Sequence, residues 1–389
     1  MSDFQIVFTM HIAIDIRPLQ EEGGGVVEYT KNIIVSLLRQ DTQNTYVLFS
    51  NAYRRVPTID ISPFPHASIV ALRYPNKLFN ASVMFLRKPE FDTLIKRITG
   101  RAVDVFFAPN LNFFSFSKHR TTILTVHDVS FDIYPHFLTP KQYAWHASVR
   151  PKQAFQKFNH LISVSERTKH DLITRYHIPE SKITVIPLGI DQTFSLPSNK
   201  NIISKRPYIL SCGSHEPRKN IQTLIAAFAY AREEDTRLLS YTLIITGDTS
   251  RIPMGIYDSI KRFNLHDNII LKDFVPDDEW KRLVYGASAF VYPSIYEGFG
   301  LPPLEAMAAG VPVLVSANSS LAETAGSAAL LIDYTNVRAF ARALIISLTD
   351  DMLRALLIKE GRVLSSRFTW QTCGQKTLEL FQYMYENRH

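Results

Sequence analysis

Short apolar runs rich in β-branched residues recur along this chain, and most are followed by a stretch of helical periodicity. Runs at 11–16, 45–50, 68–73, 103–109, 121–127, 160–165 and 183–189 alternate with helical patterns at 26–39, 82–99, 141–158 and 166–176. The theme starts again with runs at 208–213, 242–247, 269–274, 289–293, 312–316 and 329–332, with helices between them at 220–231, 277–285 and 337–348. Buried strands separated by helices predict parallel sheets covered on both faces. Two such sets in tandem predict an α/β fold of two Rossmann-like domains, because 389 residues exceed what one core holds. The polar stretch 195–206 reads as the linker. It divides the chain into an N-terminal domain, 1–198, and a C-terminal domain, 199–367, and the aromatic-rich helix 368–389 is expected to pack back on the first.

Composition narrows the class. Hydrophobic and charged contents of 46% and 20% are globular values. Two cysteines, Cys212 and Cys373, fit a reducing compartment. No apolar run reaches membrane-spanning length. The first nine residues lack the features of a signal peptide and read as an extension outside the fold. The net charge is +7, and residues 1–200 hold the whole excess, with 23 Lys/Arg against 16 Asp/Glu. Residues 133–165 contain no acid, and 73–101 mix seven basic residues with Leu78, Phe79, Met84, Phe85, Leu86 and Phe91. Such a face suits an anionic membrane surface, an anionic acceptor, or solvent alone. No nucleic-acid motif accompanies it, so nucleic acid is not expected as a partner.

In open parallel sheets, ligands bind beyond the carboxyl ends of strands, and every chemically suggestive residue falls at such an end. Gly23, Gly24 and Gly25 follow the first strand and open a helix; they admit a phosphate or sugar, or form a flexible loop. The spacing is not that of a dinucleotide fingerprint. His127 closes its strand, as a sugar ligand through either nitrogen or as a structural histidine. Asp128 either orients that ring or binds a backbone amide. Arg218 and Lys219 sit where a helix starts, an unfavourable place for two cations unless an anion lies between them and the helix; the alternative is a surface pair. A diphosphate leaving group needs such compensation as its bond to sugar breaks. Glu297 and Glu305 flank Gly298, Phe299, Gly300, Leu301, Pro302 and Pro303. The prolines favour a helix start, placing Glu297 on a loop and Glu305 in a first helical turn. That turn is a cradle for phosphate, and carboxylates beside it hold sugar hydroxyls. Glu323 reads as a structural helix-start charge and Asp248 as a weaker ligand candidate. No metal-ligand spacing or D-x-D motif is present, so no metal is expected, and the absence of a G-x-S-x-G elbow disfavours a serine hydrolase; no cofactor is expected.

These residues, taken together, resemble glycosyltransferase family four, a retaining family of GT-B architecture. The resemblance rests on the glycine loop, Val126-His127-Asp128, Glu216-Pro217-Arg218-Lys219-Asn220, the segment from Phe274 to Glu279, the long motif from Tyr292 to Met307, and Arg367-Phe368-Thr369-Trp370. It implies two Rossmann-like domains facing each other across a cleft, with acceptor on the first and nucleotide sugar on the second. It implies that Arg218 and Lys219 neutralise the diphosphate and that Glu305 holds the ribose. Glu297 and His127 would contact the transferred sugar. The amides of Phe299, Gly300 and Leu301 would touch sugar or phosphate, and Gly24 and Gly25 would approach the donor phosphate. Ser214 departs from the pattern, since many members carry arginine there. The family further implies a hexose donor, with GDP-mannose preferred, and a glycan or lipid-linked glycan acceptor. It points to surface polysaccharide or lipopolysaccharide O-antigen synthesis in the cytoplasm or at the inner membrane face. A phosphorylase, a sugar-nucleotide epimerase, a nicotinamide-dependent oxidoreductase and a non-catalytic sugar-binding protein are the competing readings.

Overall fold

The structure, a computed structural model, describes residues 9–21, 23–53, 57, 59–117, 120–195, 206–213 and 216–388. The start of the chain, most of the 195–206 stretch and Ser214 lie outside the described residues.

The first unit comprises residues 1–131, 138–189 and 370–389. Its strands are β1 (His11–Asp15), β2 (Thr45–Asn51), β3 (Ala67–Leu72), β4 (Val105–Ala108), β5 (Thr121–Val126), β6 (His160–Ser163) and β7 (Ile183–Val185). They form one parallel sheet in the order β3-β2-β1-β4-β5-β6-β7. The second unit comprises residues 132–137 and 190–369. Its strands are β8 (Tyr208–Cys212), β9 (Thr242–Thr246), β10 (Ile269–Lys272), β11 (Ala289–Tyr292), β12 (Val313–Ser316) and β13 (Leu330–Ile332), in the parallel order β10-β9-β8-β11-β12-β13. Both orders reverse direction beside the first strand of the unit. That switch point opens a crevice beyond the carboxyl ends of the two central strands. In the second unit those strands are β8 and β11, paired through Ile209 with Ala289 and Leu210 with Phe290.

The units divide at Gly189 and Ile190, ahead of the polar stretch 195–206. Ile190 bridges Thr369, and Gln192 Nε2 donates to the carbonyl of Phe368 at 3.1 Å. These bonds tie the two crossing segments to each other. The last helix, Trp370–Glu386, belongs to the first unit, where it lies on the helix Gly25–Gln40. Close approach is set by Gly374, where a Cβ would stand 2.4 Å from Ser36 Oγ, and Ser36 Oγ donates to the Trp370 carbonyl at 2.6 Å.

Two helical runs are broken. The 82–99 stretch is a π turn, Ser82–Leu86, continuing the helix Asn76–Ala81, then a separate helix Phe91–Thr99. Pro89 cannot extend the first. The 141–158 stretch is split into Pro140–Val149 and Pro151–Lys157, because Pro151 disfavours helical backbone at Arg150.

The first core holds a charged pair that sequence patterning missed. Asp15, fully buried at the end of β1, takes a forked contact from Arg17, whose Nε and Nη2 donate to its two oxygens at 2.8 Å each. The guanidinium lies 5.0 Å from the Phe91 ring centroid and 5.1 Å from that of Phe114. Removing one member of a buried pair leaves the other charge unpaired, at about 3–5 kcal/mol. Arg17→Met is therefore expected to lower unfolding free energy by about that amount in urea titration, and Asp15→Asn/Arg17→Met to recover much of the loss.

Candidate active site

The site in the second unit grows from the ends of β8 and β11. After β8 the chain turns at Gly213, whose φ is +89°. A Cβ there would stand 2.7 Å from Lys219 Cγ, so glycine lets the lysine stem lie against the strand end. Arg218 and Lys219 form a short 3-10 turn, Pro217–Lys219, and Asn220 in left-handed backbone then starts the helix Ile221–Glu234. The cations thus precede the helix instead of occupying its first turn.

After β11 the segment 293–300 is a loop tied by side chains of the next connection. Ser320 Oγ donates to the Glu297 carbonyl at 2.9 Å, the Glu297 amide donates to Ser319 Oγ at 3.1 Å, and Thr324 Oγ1 donates to the Phe299 carbonyl at 2.9 Å. Gly300, at φ +99°, starts the helix Leu301–Ala308, and a Cβ on it would meet Leu321 at 2.7 Å.

These two loops bring Arg218, Lys219 and Glu297 together. Glu297 is 7% exposed; its Oε1 is 2.8 Å from Lys219 Nζ and its Oε2 is 2.8 Å from Arg218 Nη1. Lys219 Nζ also donates to the Tyr292 hydroxyl and lies 4.6 Å from that ring's centroid. An ammonium has three N–H groups, and two have these partners. Arg218 Nη1 donates to the Tyr296 carbonyl at 3.0 Å, and Nε pairs with Glu216 at 2.8 Å. Burial alone would raise the Glu297 carboxyl, but Arg218 and then Lys219 outweigh it and hold it down to about 2. Cys212, the last residue of β8, registers the same field. Desolvation pushes its thiol up to about 12; Lys219 opposes the rise, and Glu297, Glu305 and Glu216 add to it.

Glu305 stands four residues beyond Leu301, so it lies in the second turn of its helix, not the first. Pro302 and Pro303 are themselves helical, which moves the start upstream. Its Oε2 accepts from Trp280 Nε1 at 2.8 Å. Trp280 carried no signal in the sequence beyond its place after the Phe274–Glu279 segment. Asp248 accepts from the Ser250 amide at 3.0 Å and pairs with Arg251, so its carboxylate caps a local turn. Glu323 lies in the first turn of Leu321–Ala325.

In the first unit, Gly24 precedes the helix Gly25–Gln40, and a Cβ built on Gly23, Gly24 or Gly25 meets no atom within 4 Å. Backbone conformation explains glycine at 23 and 24, with φ of +77° and +97°. Neither crowding nor φ demands it at Gly25. His127 is half-buried, edge-on to Tyr29 at 4.8 Å, and its Nε2 is 2.9 Å from the Pro109 carbonyl. A carbonyl only accepts, so Nε2 carries the proton and a single nitrogen, Nδ1, remains as an acceptor for another group. Desolvation lowers the ring's affinity for a second proton, against the Pro109 and Asp128 contributions. Asp128 binds the Ser130 amide at 2.8 Å and the Ser130 hydroxyl at 2.7 Å, the backbone-binding alternative of the two.

Residues 23–194 match the model of Glycosyltransferase Family 4, and residues 194–363 that of Glycosyl transferases group 1. O-antigen chain mannosyltransferase B of Escherichia coli is 30% identical over 281 residues, 70% of this chain and 73% of its own length. This chain belongs to glycosyltransferase family four. O-antigen chain mannosyltransferase RfbU of Salmonella typhimurium is 31% identical over 197 residues, 51% of this chain and 52% of that protein. Sucrose-phosphate synthase from Thermosynechococcus elongatus superposes with a TM-score of 0.75 at 19% identity, over 97% of this chain and 99% of that one. The fold is therefore GT-B, with a seven-stranded and a six-stranded parallel sheet. The chain is a glycosyltransferase.

Two outcomes follow from this geometry. Glu297 has a folded pKa below its unfolded value, so its contribution is complete above pH 4.5 and is lost as pH falls toward 2. The stability gap between wild type and Glu297→Gln, ~3 kcal/mol at neutral pH, is expected to close over that window in urea titrations. Trp280→Phe removes one hydrogen bond from Glu305, worth about 1 kcal/mol. It is expected to lower the unfolding free energy by about that amount in urea titration.

Proposed function

We propose that this glycosyltransferase moves mannose from GDP-mannose to a lipid-linked glycan, building a surface polysaccharide of the O-antigen type at the inner face of the cytoplasmic membrane. The reaction proceeds with retention at the anomeric carbon and without a metal ion. Names of the Escherichia coli and Salmonella relatives support the sugar and the acceptor class. The observation that carries the donor reading is the grouping of half-buried Arg218 with buried Lys219 and Glu297 beyond the ends of β8 and β11.

As the bond from sugar to diphosphate breaks, negative charge accumulates on the leaving oxygen. Lys219 meets it with its third N–H, and Arg218 adds a second charge, so no cation need come from solution. The amides of Phe299, Gly300 and Leu301, at a helix start, bind phosphate or sugar. Glu305, oriented by Trp280, holds the ribose hydroxyls. Glu297 lies beside the reacting face of the hexose and stabilises developing positive charge there. His127 accepts a hexose hydroxyl at Nδ1. Gly24 and Gly25 leave room for the donor phosphate, a role that accounts for glycine at 25. The acceptor attacks the face from which the diphosphate departs, and the leaving phosphate oxygen takes its proton, so no protein base is required.

Lys219→Ala is expected to lower kcat by roughly two orders of magnitude, the equivalent of about 3 kcal/mol of transition-state stabilisation. A panel of nucleotide sugars is expected to shift the melting temperature most with GDP-mannose. Proton NMR of the first product is expected to show the donor's anomeric configuration. Near-normal turnover of purified Lys219→Ala, or an inverted product, would overturn the assignment. Turnover requiring free phosphate would indicate a phosphorylase.

A further inference from the structure

A groove in the first unit, about 420 Å³, lies outside every residue assigned above. Arg87, Arg150 and Lys157 line it with Phe114, Phe116 and Phe158, and no carboxylate does. Arg120 at its floor pairs with buried Asp92 at 3.0 Å. Arg87, Arg150 and Lys157 are exposed and have no ion-pair partner among the described residues. Three unpaired cations around aromatic walls suit an anion carried on an apolar stem.

Two further observations identify the stem's surroundings. Arg87 and Arg150 both hold left-handed backbone, each at φ +53°. That conformation favours glycine or asparagine, and a long cationic side chain occupies it against local preference. Phe85 and Leu86, directly before Arg87, are 73% and 71% exposed, and Leu78 on the preceding helix is 69% exposed. Large apolar side chains standing in water beside a cationic groove form an amphiphilic edge suited to a lipid interface.

We propose that this groove binds the phosphorylated head of a membrane lipid while Phe85 and Leu86 enter the acyl layer. It extends the membrane-surface part of the proposed function and does not depend on which sugar is transferred. Arg87→Gly/Arg150→Gly removes both charges while giving each position the residue its backbone favours. The variant is expected to melt no lower than wild type yet bind mixed phosphatidylcholine and phosphatidylglycerol vesicles on the order of tenfold more weakly in flotation. Vesicles of phosphatidylcholine alone are expected to bind neither protein appreciably. Lys96→Ala/Lys152→Ala, which removes the same net charge off the groove, is expected to bind within about twofold of wild type. Equal losses in both variants would reduce the effect to bulk charge and overturn the proposal. Displacement by inorganic phosphate at matched ionic strength would assign the groove to a free anion and overturn it too. Should the glycine variant misfold, Lys157→Ala/Phe85→Ser tests the same site with the left-handed positions untouched, and undiminished vesicle binding would overturn it. Turnover with a soluble acceptor, expected at wild-type level in every variant, reports separately on the catalytic reading.

Discussion

A single carboxylate held between two cations organises the candidate site of the second unit. Glu297 is buried, and its charge survives there because Arg218 and Lys219 stand 2.8 Å from its two oxygens. The converse holds as well. A buried ammonium against a β-strand is costly unless paired, and Lys219 is placed by Glu297, by the Tyr292 hydroxyl and by the absence of a side chain at Gly213. Every other feature of the site builds outward from that triad. The bonds from Ser319, Ser320 and Thr324 hold the Glu297 loop, and the loop sets the start of the helix carrying Glu305.

The sheet order explains why such a triad forms where it does. With β8 beside β11, connections that leave their carboxyl ends run to opposite faces and part, leaving backbone and side chains around a crevice. The cations come from one connection and the carboxylate from the other, 78 residues later. The first unit repeats the topology around β1 and β4, and there too its glycine loop and His127 gather at strand ends. The same geometry with different side chains makes one unit a holder of charge and the other a holder of an open loop and a neutral imidazole.

Helix breakers contribute as much as helix formers. Pro89 and Pro151 divide what would otherwise be long amphipathic helices, and each division leaves an arginine in left-handed backbone at the break. Those two arginines border the aromatic groove of the first unit. A basic excess that composition assigns only to a half of the chain is thereby concentrated on a surface with shape.

The chain's own letters determined the class of structure. The β-branched runs map onto the thirteen strands of the described residues because the central strands, covered on both faces by helices, are buried along their whole length, a signal that survives without knowledge of neighbours. Glycines and prolines marked the loop before Leu301, since few backbone conformations tolerate them. The pairing of Glu297 with Arg218 and Lys219, the capture of one His127 nitrogen by Pro109, the forked contact of Asp15 and Arg17, and the Trp280 bond to Glu305 came only from tertiary structure. Each joins groups whose chemistry is ordinary in isolation and whose separation along the chain says nothing of distance. Helix ends shifted too: Glu305 fell in a second turn because Gly300, in left-handed backbone, precedes a helix that already includes Pro302 and Pro303.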